Sequence, residues 1–353
     1  MKNNSIKNGQ PWYDTDGNRI HAQFPHIFYQ NGKYYLYGFN KEESKGNNGI
    51  WHKGIVIYES EDMYNFKNLG YIMPPDMDNE NSLFNPKSRI DNPNIIYNEN
   101  TGKYVLWIYN LTERTAHSFV SDSLFGPYNS AEDGFLPCGF ELGDFELAKD
   151  ARGRGYLFFN RPHTEIICAR LTDDYTNVDG TYTRLLHHPE SVPFNREAPT
   201  YMYRNGKHYL ITSGTTTFFP NPSEVCMSEN INSGFENLGN PHIGDTTDTS
   251  FHSQIRSIFK VPGKKDLYIA FADRWLPDYM DIPYEVYKKW HIDFHGPNST
   301  AEDKARVEKE SKGLIHADVF DVSKAQYVVL PIVFKDDVPT IEWRESWTLE
   351  EFE

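Results

Sequence analysis

The stretch EAPTYMYRNGKHYLITSG, residues 197–214, decides the fold. Two short runs rich in aromatic and aliphatic residues flank Asn205 and Gly206, a dipeptide that favours a tight turn between antiparallel strands. The stretch therefore predicts a β-hairpin whose first strand begins at Glu197. A carboxylate at the start of an otherwise apolar strand indicates that this end of the hairpin faces a polar space.

Similar hairpins recur along the chain, and their first residues are between 53 and 68 positions apart. Including the hairpin just described, they begin at Gln23, Asp91, Asp144, Glu197 and Gln254. Each interval holds a second strand-like motif, which in the last repeat is ADVFDVS, residues 317–323. A repeat of about 50 residues in a chain with almost no helical periodicity is typical of a β-propeller. We therefore predict an all-β, five-bladed β-propeller formed by residues 1–353 as a single domain.

Residues 281–315 interrupt the last repeat. The segment NSTAEDKARVEKESKG, residues 298–313, predicts a short exposed helix, with Ser299 and Glu302 at capping-box spacing and Gly313 as the stop. We interpret residues 281–315 as a helical insertion in the last blade, and no chemistry is assigned to it.

The first residue of each repeat points to a shared site. In a propeller, the innermost strand of every blade lines the central channel, so one repeat position forms a ring around the axis. Here that ring is Gln23, Asp91, Asp144, Glu197 and Gln254. Glycoside hydrolysis needs two carboxyl groups across the scissile bond, one of them an acid with a raised pKa. The ring fits this chemistry, although a purely structural polar ring in a water-filled channel is the alternative.

The composition limits the possible partners. A net charge of −15 argues against nucleic acid and anionic membranes. The 23 Tyr, 23 Phe and 7 Trp favour strands and can stack on sugar rings. Three scattered cysteines form neither a disulfide framework nor a metal-binding pattern. The first residues lack the apolar segment of a signal peptide, which predicts a cytoplasmic protein if the chain is complete and an extracellular or periplasmic one if a leader was removed.

Several segments resemble glycoside hydrolase family 43, and especially its branch related to exo-β-1,3-galactanases. The most specific are EAPTYMYRNGKHYLITSGTTTFFPNP, LGNPHIGDTTDTSFHSQ and ADRW, and the ending YVVLPIVFKDDVPTIEWRESWTL is also similar. The resemblance extends over most of the chain, from residue 14 to residue 350. It implies a five-bladed propeller that hydrolyses glycosides.

The resemblance also implies roles for single residues. Glu197 matches the general acid of the family, and Asp91 falls where the branch has a glutamate that tunes or assists this acid. Gln254 matches a glutamine that stands in for the base. Asp144, Thr216 and Asn160 fall at sugar-contacting positions. Gln23, through its ring position, and Arg274, which could equally serve packing, complete the predicted substrate-binding set.

The sequence departs from the family at two places near the expected sugar pocket. Most members have an aspartate just before a proline in the first blade as the base, but here Phe24 precedes Pro25. The segment QFPH also replaces a glycine-rich segment of the galactanase branch, and LTERTAH replaces an aromatic residue after WIYN. These changes affect the base and the wall of the pocket, so they bear on both activity and specificity.

These observations together predict an exo-acting, inverting glycoside hydrolase for β-galactosides of plant-type polysaccharide side chains. The alternatives are an α-L-arabinofuranosidase or β-xylosidase of the same family, and a sugar-binding propeller with an impaired centre. The expected partner is an oligosaccharide or polysaccharide. We expect no cofactor, although the resemblance allows a calcium ion in the channel that no ligand cluster in the sequence supports.

Overall fold

Five sheets surround a central axis in the computed structural model, which describes residues 2–187 and 192–353. After the short strand β1 (Ile6–Lys7), the strands of the first blade are β2 (Gln23–Gln30), β3 (Lys33–Phe39), β4 (Ile55–Ser60) and β5 (Lys67–Met73). Those of the second blade are β6 (Ile90–Asn98), β7 (Lys103–Asn110), β8 (Thr115–Ser121) and β9 (Asn129–Phe135). Those of the third blade are β10 (Phe145–Lys149), β11 (Gly155–Arg161), β12 (Glu165–Leu171) and β13 (Val178–Leu185).

The last two blades follow the same plan. The fourth blade contains β14 (Arg196–Arg204), β15 (Lys207–Gly214), β16 (Glu224–Ser228) and β17 (Glu236–Gly239). The fifth contains β18 (His242–Ile243), β19 (Gln254–Lys260), β20 (Tyr268–Arg274), β21 (Gln326–Lys335) and β22 (Val338–Glu342). In this blade β18 pairs in parallel with β22, whereas the other pairs are antiparallel. A last short strand, β23 (Ser346–Trp347), pairs with β1.

The innermost strands close the ring. Strands β2, β6, β10, β14 and β19 each contact the next one, and β19 contacts β2. Neighbouring blades pack through buried aromatic and aliphatic side chains, among them Trp107 and Tyr209, which are fully buried. The prediction of an all-β, five-bladed propeller is therefore confirmed. Within the described residues, no helix has both the length and the apolar character needed to cross a membrane.

The interruption in the last blade contains two helices, α1 (Tyr284–His295) and α2 (Ala301–Ser311), between β20 and β21. The predicted helix is thus present as α2, but its predicted cap is wrong by one residue. Thr300 accepts a hydrogen bond from the Asp303 backbone N–H, and the Asp303 carboxylate accepts one from the Thr300 backbone. The Ser299 hydroxyl donates instead to the Asp293 carbonyl, which removes it from the cap.

The outer strand predicted at ADVFDVS is also wrong. Short 3₁₀ turns occupy Ala317–Val319 and Val322–Lys324, and the third strand of the blade is β21. Phe320, between the two turns, is buried against Phe218 and Phe219. The apolar residues of this segment therefore fill an aromatic cluster beside the axis rather than one face of a sheet.

Candidate active site

A cavity of about 470 Å³ opens at the end of the axis where the innermost strands begin. Four of the five ring residues line it, namely Asp91, Asp144, Glu197 and Gln254. They come from consecutive blades, the second to the fifth, and each stands at or next to the first residue of its innermost strand. Side chains that occupy the same position of the sequence repeat therefore lie around one cavity.

A recurrent irregularity of the backbone accompanies this convergence. In the first, second and fourth blades the ring residue is followed by a residue in the left-handed conformation and then by a proline; these residues are Phe24 (φ 57°), Asn92 (φ 60°) and Ala198 (φ 48°). The pairing with the next strand shifts register at the same place. A bulge of this kind bends the strand, and strained residues of this type concentrate at functional sites.

Glu197 has the environment of a proton donor. Burial raises the pKa of Glu197 to about 8, and the nearby Asp144 carboxylate raises it as well. The charges of Arg256 and Arg196 and the amide of Gln254 act in the opposite direction. Since the first two effects dominate, the carboxyl group is protonated at neutral pH while it faces the cavity. A group in this state can give a proton to an oxygen atom of a bound ligand.

Asp144 is held in place by Arg256. The guanidinium donates to both carboxylate oxygens of Asp144, at 3.1 and 3.2 Å, and to Asn92 Oδ1 at 2.8 Å. Arg256 lies two residues after Gln254 on β19 and is almost fully buried. The pair places a carboxylate next to Glu197, and the charge of Asp144 raises the pKa of Glu197.

Asp91 forms a second buried ion pair on another side of the cavity. Its Oδ1 accepts hydrogen bonds from Lys41 Nζ and Trp51 Nε1, both at 3.0 Å. Burial raises the pKa of Asp91, whereas Lys41 and Trp51 lower it. Both bonds fall on one oxygen, so Oδ2 is the oxygen that Asp91 can offer to a water molecule. Asp91 is not among the main causes of the raised pKa of Glu197, in contrast to the predicted tuning role.

Tyr109, on β7, shows that the three carboxylates converge on one place. The pKa of Tyr109 is raised mainly by burial and further by the charges of Asp144, Asp91 and Glu197, while Arg114 lowers it. Tyr109 lines the cavity together with these four residues. A ligand in contact with Tyr109 would therefore lie near all three carboxyl groups.

Gln254 is fixed by hydrogen bonds that use its amide oxygen. Oε1 accepts from Arg256 Nη1 and from Trp275 Nε1, each at 3.1 Å, and Nε2 donates to Ser213 Oγ at 2.8 Å. The side chains of arginine and tryptophan can only donate hydrogen bonds. The amide atom that faces them must therefore be the acceptor, Oε1. Both acceptor positions of this oxygen are occupied, which leaves none for the attacking water that the sequence-based interpretation assigned to it.

Asn160 reaches the cavity, as predicted. It is buried on β11, and its Oδ1 has no hydrogen-bond partner among the described residues. Gly143 makes room for this amide, because a Cβ atom at that position would lie 2.5 Å from Asn160 Nδ2 and Oδ1. The unpaired oxygen is enclosed by protein atoms, and such an acceptor is costly unless a hydrogen-bond donor reaches it.

Three other predicted sugar contacts lie outside the cavity lining. Thr216 is fully buried and donates to the Phe219 carbonyl, while its neighbours Thr215 and Thr217 line the cavity instead. Gln23 is also fully buried, with Nε2 3.5 Å from the Tyr327 hydroxyl. Arg274 donates to the carbonyls of residues 251 and 252, and Trp275 beside it reaches the cavity.

The insertion contributes a wall of the cavity, although nothing in its amino-acid pattern indicates chemistry. His291 and His295 of α1 line the cavity, as do residues 315–318 that follow α2. His291 is held by the Tyr287 carbonyl and by Thr217.

Three further residues of the site, Lys41, Trp51 and Tyr109, were not predicted either, since a single residue on a loop or strand carries no repeat signal. Arg256 had one signal, its position two residues from Gln254 on the same strand.

A calcium ion does not fit the residues that face the cavity. Within residues 2–187 and 192–353, no group of three or more His, Cys, Asp or Glu side chains is arranged to hold a metal ion. Asp91 and Asp144 are instead paired with Lys41 and Arg256. Because buried cations of the chain already occupy the positions beside these carboxylates, a divalent cation would be repelled there.

The comparisons with known proteins agree with this geometry. Solved structures with the same fold include a family 43 β-1,3-galactosidase, with a TM-score of 0.78 and 26% identity over 99% of this chain and 65% of that one. A second family 43 β-1,3-galactosidase, solved with galactodeoxynojirimycin, has a TM-score of 0.77 and 24% identity over 98% of this chain and 100% of that one. An exo-β-1,3-galactanase from Clostridium thermocellum has a TM-score of 0.72 and 24% identity over 97% of this chain and 66% of that one.

The chain thus spans about two thirds of the length of the first of these structures. Among curated proteins, no sequence matches it. The model of the glycosyl hydrolases family 43, however, matches residues 18–286, which is most of the chain. The protein that carries this cavity therefore belongs to glycoside hydrolase family 43 and is a glycoside hydrolase.

Proposed function

We propose that the protein is an exo-acting, inverting β-galactosidase that removes galactose from β-1,3-linked galactan side chains. The observation that carries the proposal is the protonated Glu197 beside the ionised Asp144 at the floor of a cavity. The structurally similar β-1,3-galactosidase, at 26% identity, supports the choice of sugar. The buried rings of Phe24 and Trp275 line the cavity beside the ring residues, which supports a closed floor and therefore exo action.

Glu197 would act as the general acid. A galactose bound at the floor would place its glycosidic oxygen towards the Glu197 carboxyl, which is protonated and can release the leaving sugar as an alcohol. Asp144 and Arg256 would hold the pKa of this acid near neutrality, and Asn160 would form part of the wall beside the sugar.

Asp91 is the better candidate for the base. In a ring of five blades, the second and the fourth are not neighbours, so Asp91 lies across the axis from Glu197. The position where most members of the family have an aspartate is occupied by the Phe24 ring, which cannot take a proton. Asp91 Oδ2 can accept the proton of a water molecule placed between it and the anomeric carbon. Gln254 would then position Arg256 and Glu197 rather than the water.

The acid assignment predicts the pH profile of an Asp144→Asn variant. Glu197 works in its protonated form, so activity is lost as the pH rises through the pKa of about 8. Removing the Asp144 charge lowers this pKa, and the unpaired Arg256 lowers it further. We expect the basic limb of kcat/KM to move down by about one pH unit. Asp150→Asn, which also removes the partner of an arginine but far from the cavity, should leave the limb in place.

The stereochemical outcome tests the mechanism. Proton NMR of the first product formed from β-1,3-galactobiose should show α-galactose, because water attacks from the side opposite to the leaving group. A β-configured first product would contradict the inverting mechanism.

Substrate specificity is tested separately. Hydrolysis of aryl α-L-arabinofuranosides or β-D-xylosides, without release of galactose, would assign the protein to the pentose-specific activities of the family. Binding of galactobiose in a calorimeter without any turnover would indicate an impaired centre.

A further inference from the structure

Basic side chains from separate parts of the fold meet at the mouth of the cavity. Arg114 lies in the turn before β8, His163 lies between β11 and β12, His295 ends α1, and His316 follows α2. The three histidines are exposed, whereas the ring residues at the floor are buried or half-buried. We call these four residues the basic rim.

The charges that act on the basic rim are mostly positive. Although His163 is exposed at its surface, the surrounding protein partly desolvates its imidazole and lowers its pKa, and the Arg114 charge lowers the pKa further. Partial desolvation likewise lowers the pKa of His295, followed by the charges of His163, Lys304 and His316. In the described part of the chain, the charges that shift these two pKa values are therefore all of one sign. Both shifts favour the neutral imidazole, and a bound anion would favour the protonated form instead.

Within residues 2–187 and 192–353, acidic groups pair with two members of the basic rim. Glu141 lies 3.8 Å from Arg114, and Glu308 lies 2.9 Å from His316. The Glu141 side chain is largely exposed, so solvent weakens its attraction for Arg114. At the floor, by contrast, the cations Lys41 and Arg256 are buried and matched by carboxylates. The mouth therefore differs from the floor in presenting a partly exposed guanidinium and three exposed imidazoles, and the carboxylates beside Arg114 and His316 are themselves exposed.

The basic rim lies on the side of the cavity where the leaving sugar must be. The terminal galactose would occupy the floor, so the next sugar lies between Glu197 and the mouth. Arg114 is close enough to Tyr109 to lower its pKa, and the three floor carboxylates raise the pKa of the same residue. Tyr109 is thus near both Arg114 and the floor carboxylates, and all of these residues line one cavity.

We propose that the basic rim is a subsite for an anionic substituent, a carboxylate or a sulfate ester, on the sugar that follows the scissile bond. The guanidinium of Arg114 can donate two parallel hydrogen bonds to either group, and the imidazoles add further donors. The proposal rests on the proposed function, because it assumes that a galactose occupies the floor.

Three substrates test the proposal. The first is β-1,3-galactobiose with a β-1,6-linked glucuronate on its reducing galactose, and the second carries glucose at the same position, so that only the carboxylate differs. The third carries a 6-sulfate, with unsubstituted galactobiose as its reference. We expect kcat/KM to be about tenfold higher for the glucuronate than for the glucose derivative, the effect of one charge-assisted hydrogen bond. A gain for the sulfate alone would assign the subsite to sulfate esters.

Variants separate the basic rim from general effects of charge. In Arg114→Gln the ratio of kcat/KM for the acidic and the neutral substrate should fall from about ten towards one, and Arg114→Lys should retain part of it. Arg152→Gln is the matched control, since Arg152 is an exposed arginine in the turn between β10 and β11, at the other end of that blade. Melting temperatures would show that each variant is folded.

Equal kcat/KM values for the acidic and neutral partners, in both pairs of substrates, would overturn the proposal while leaving the proposed function intact. If no galactoside is hydrolysed, the proposed function fails, and calorimetry then decides the subsite alone. Wild-type protein should bind the glucuronate derivative about tenfold more tightly than the glucose derivative, and equal dissociation constants would also overturn the proposal.

Discussion

Replacing Glu197 with glutamine is expected to lower kcat on β-1,3-galactobiose by about 10²–10⁴, the usual contribution of a general acid. Glutamine has the same shape but no proton that it can transfer to the leaving oxygen. Because the pKa of Glu197 is about 8, the native group is already uncharged at neutral pH. The substitution therefore removes the proton donor without removing a charge, and the melting temperature should stay close to that of the wild type.

The leaving group provides an internal check of this prediction. A dinitrophenyl galactoside departs without a proton, so the loss in kcat should be much smaller for it than for galactobiose. Glu229→Gln serves as the control variant, because Glu229 is an exposed glutamate on the turn after β16, outside the cavity. Turnover of galactobiose at the wild-type rate by the Glu197 variant would rule out Glu197 as the acid.

The repeat made the ring of polar residues predictable. Every blade needs the same hairpin, so Asp91, Asp144, Glu197 and Gln254 can be recognised as the same position in successive sequence repeats. Gln23 holds the same position but is buried away from the cavity. A repeat therefore predicts where a strand begins, whereas the orientation of each side chain depends on packing by its neighbours.

The partners of the carboxylates could not be predicted in the same way. Lys41 and Trp51 lie on the long connection between β3 and β4, and the sequence does not show that it folds back over Asp91. Thr216 illustrates a smaller error. In the loop after β15 its two neighbours, Thr215 and Thr217, line the cavity, whereas Thr216 does not. Loops of this kind are positioned by tertiary contacts, which leave no period in the sequence.

The insertion shows how a correct local prediction can miss a function. The expected cap at Ser299 and the stop at Gly313 predicted a helix at the position of α2, but nothing in them indicated that α1 and the turns after α2 would border the cavity. That position depends on aromatic packing, with Phe219 stacked on Tyr287 and Phe320 packed against Phe219. The wall that carries His295 and His316 is therefore fixed by contacts between distant parts of the chain.

Loss of Asp91 is expected to affect kcat as strongly as loss of Glu197. If Asp91 takes the proton of the attacking water, Asp91→Asn should lower kcat by about 10²–10⁴. The variant also leaves Lys41 buried without its carboxylate, which costs about 3–5 kcal/mol of stability. The double variant Lys41→Met with Asp91→Asn removes both charges, so it should be more stable than the single variant and equally slow.

Azide distinguishes a missing base from a damaged site. Azide is already an anion and needs no base, so adding it to the folded double variant should restore turnover and yield α-galactosyl azide from a β-galactoside.

Gln254→Ala should lower kcat less, by about tenfold, because the oxygen of Gln254 accepts hydrogen bonds from Arg256 and Trp275 and contributes by holding them in position. If the Asp91 variants keep kcat within a few fold of the wild type while Gln254→Ala loses it, the water is held by Gln254. In that case the amide must exchange its bond with Arg256 or Trp275 for one with water when substrate binds.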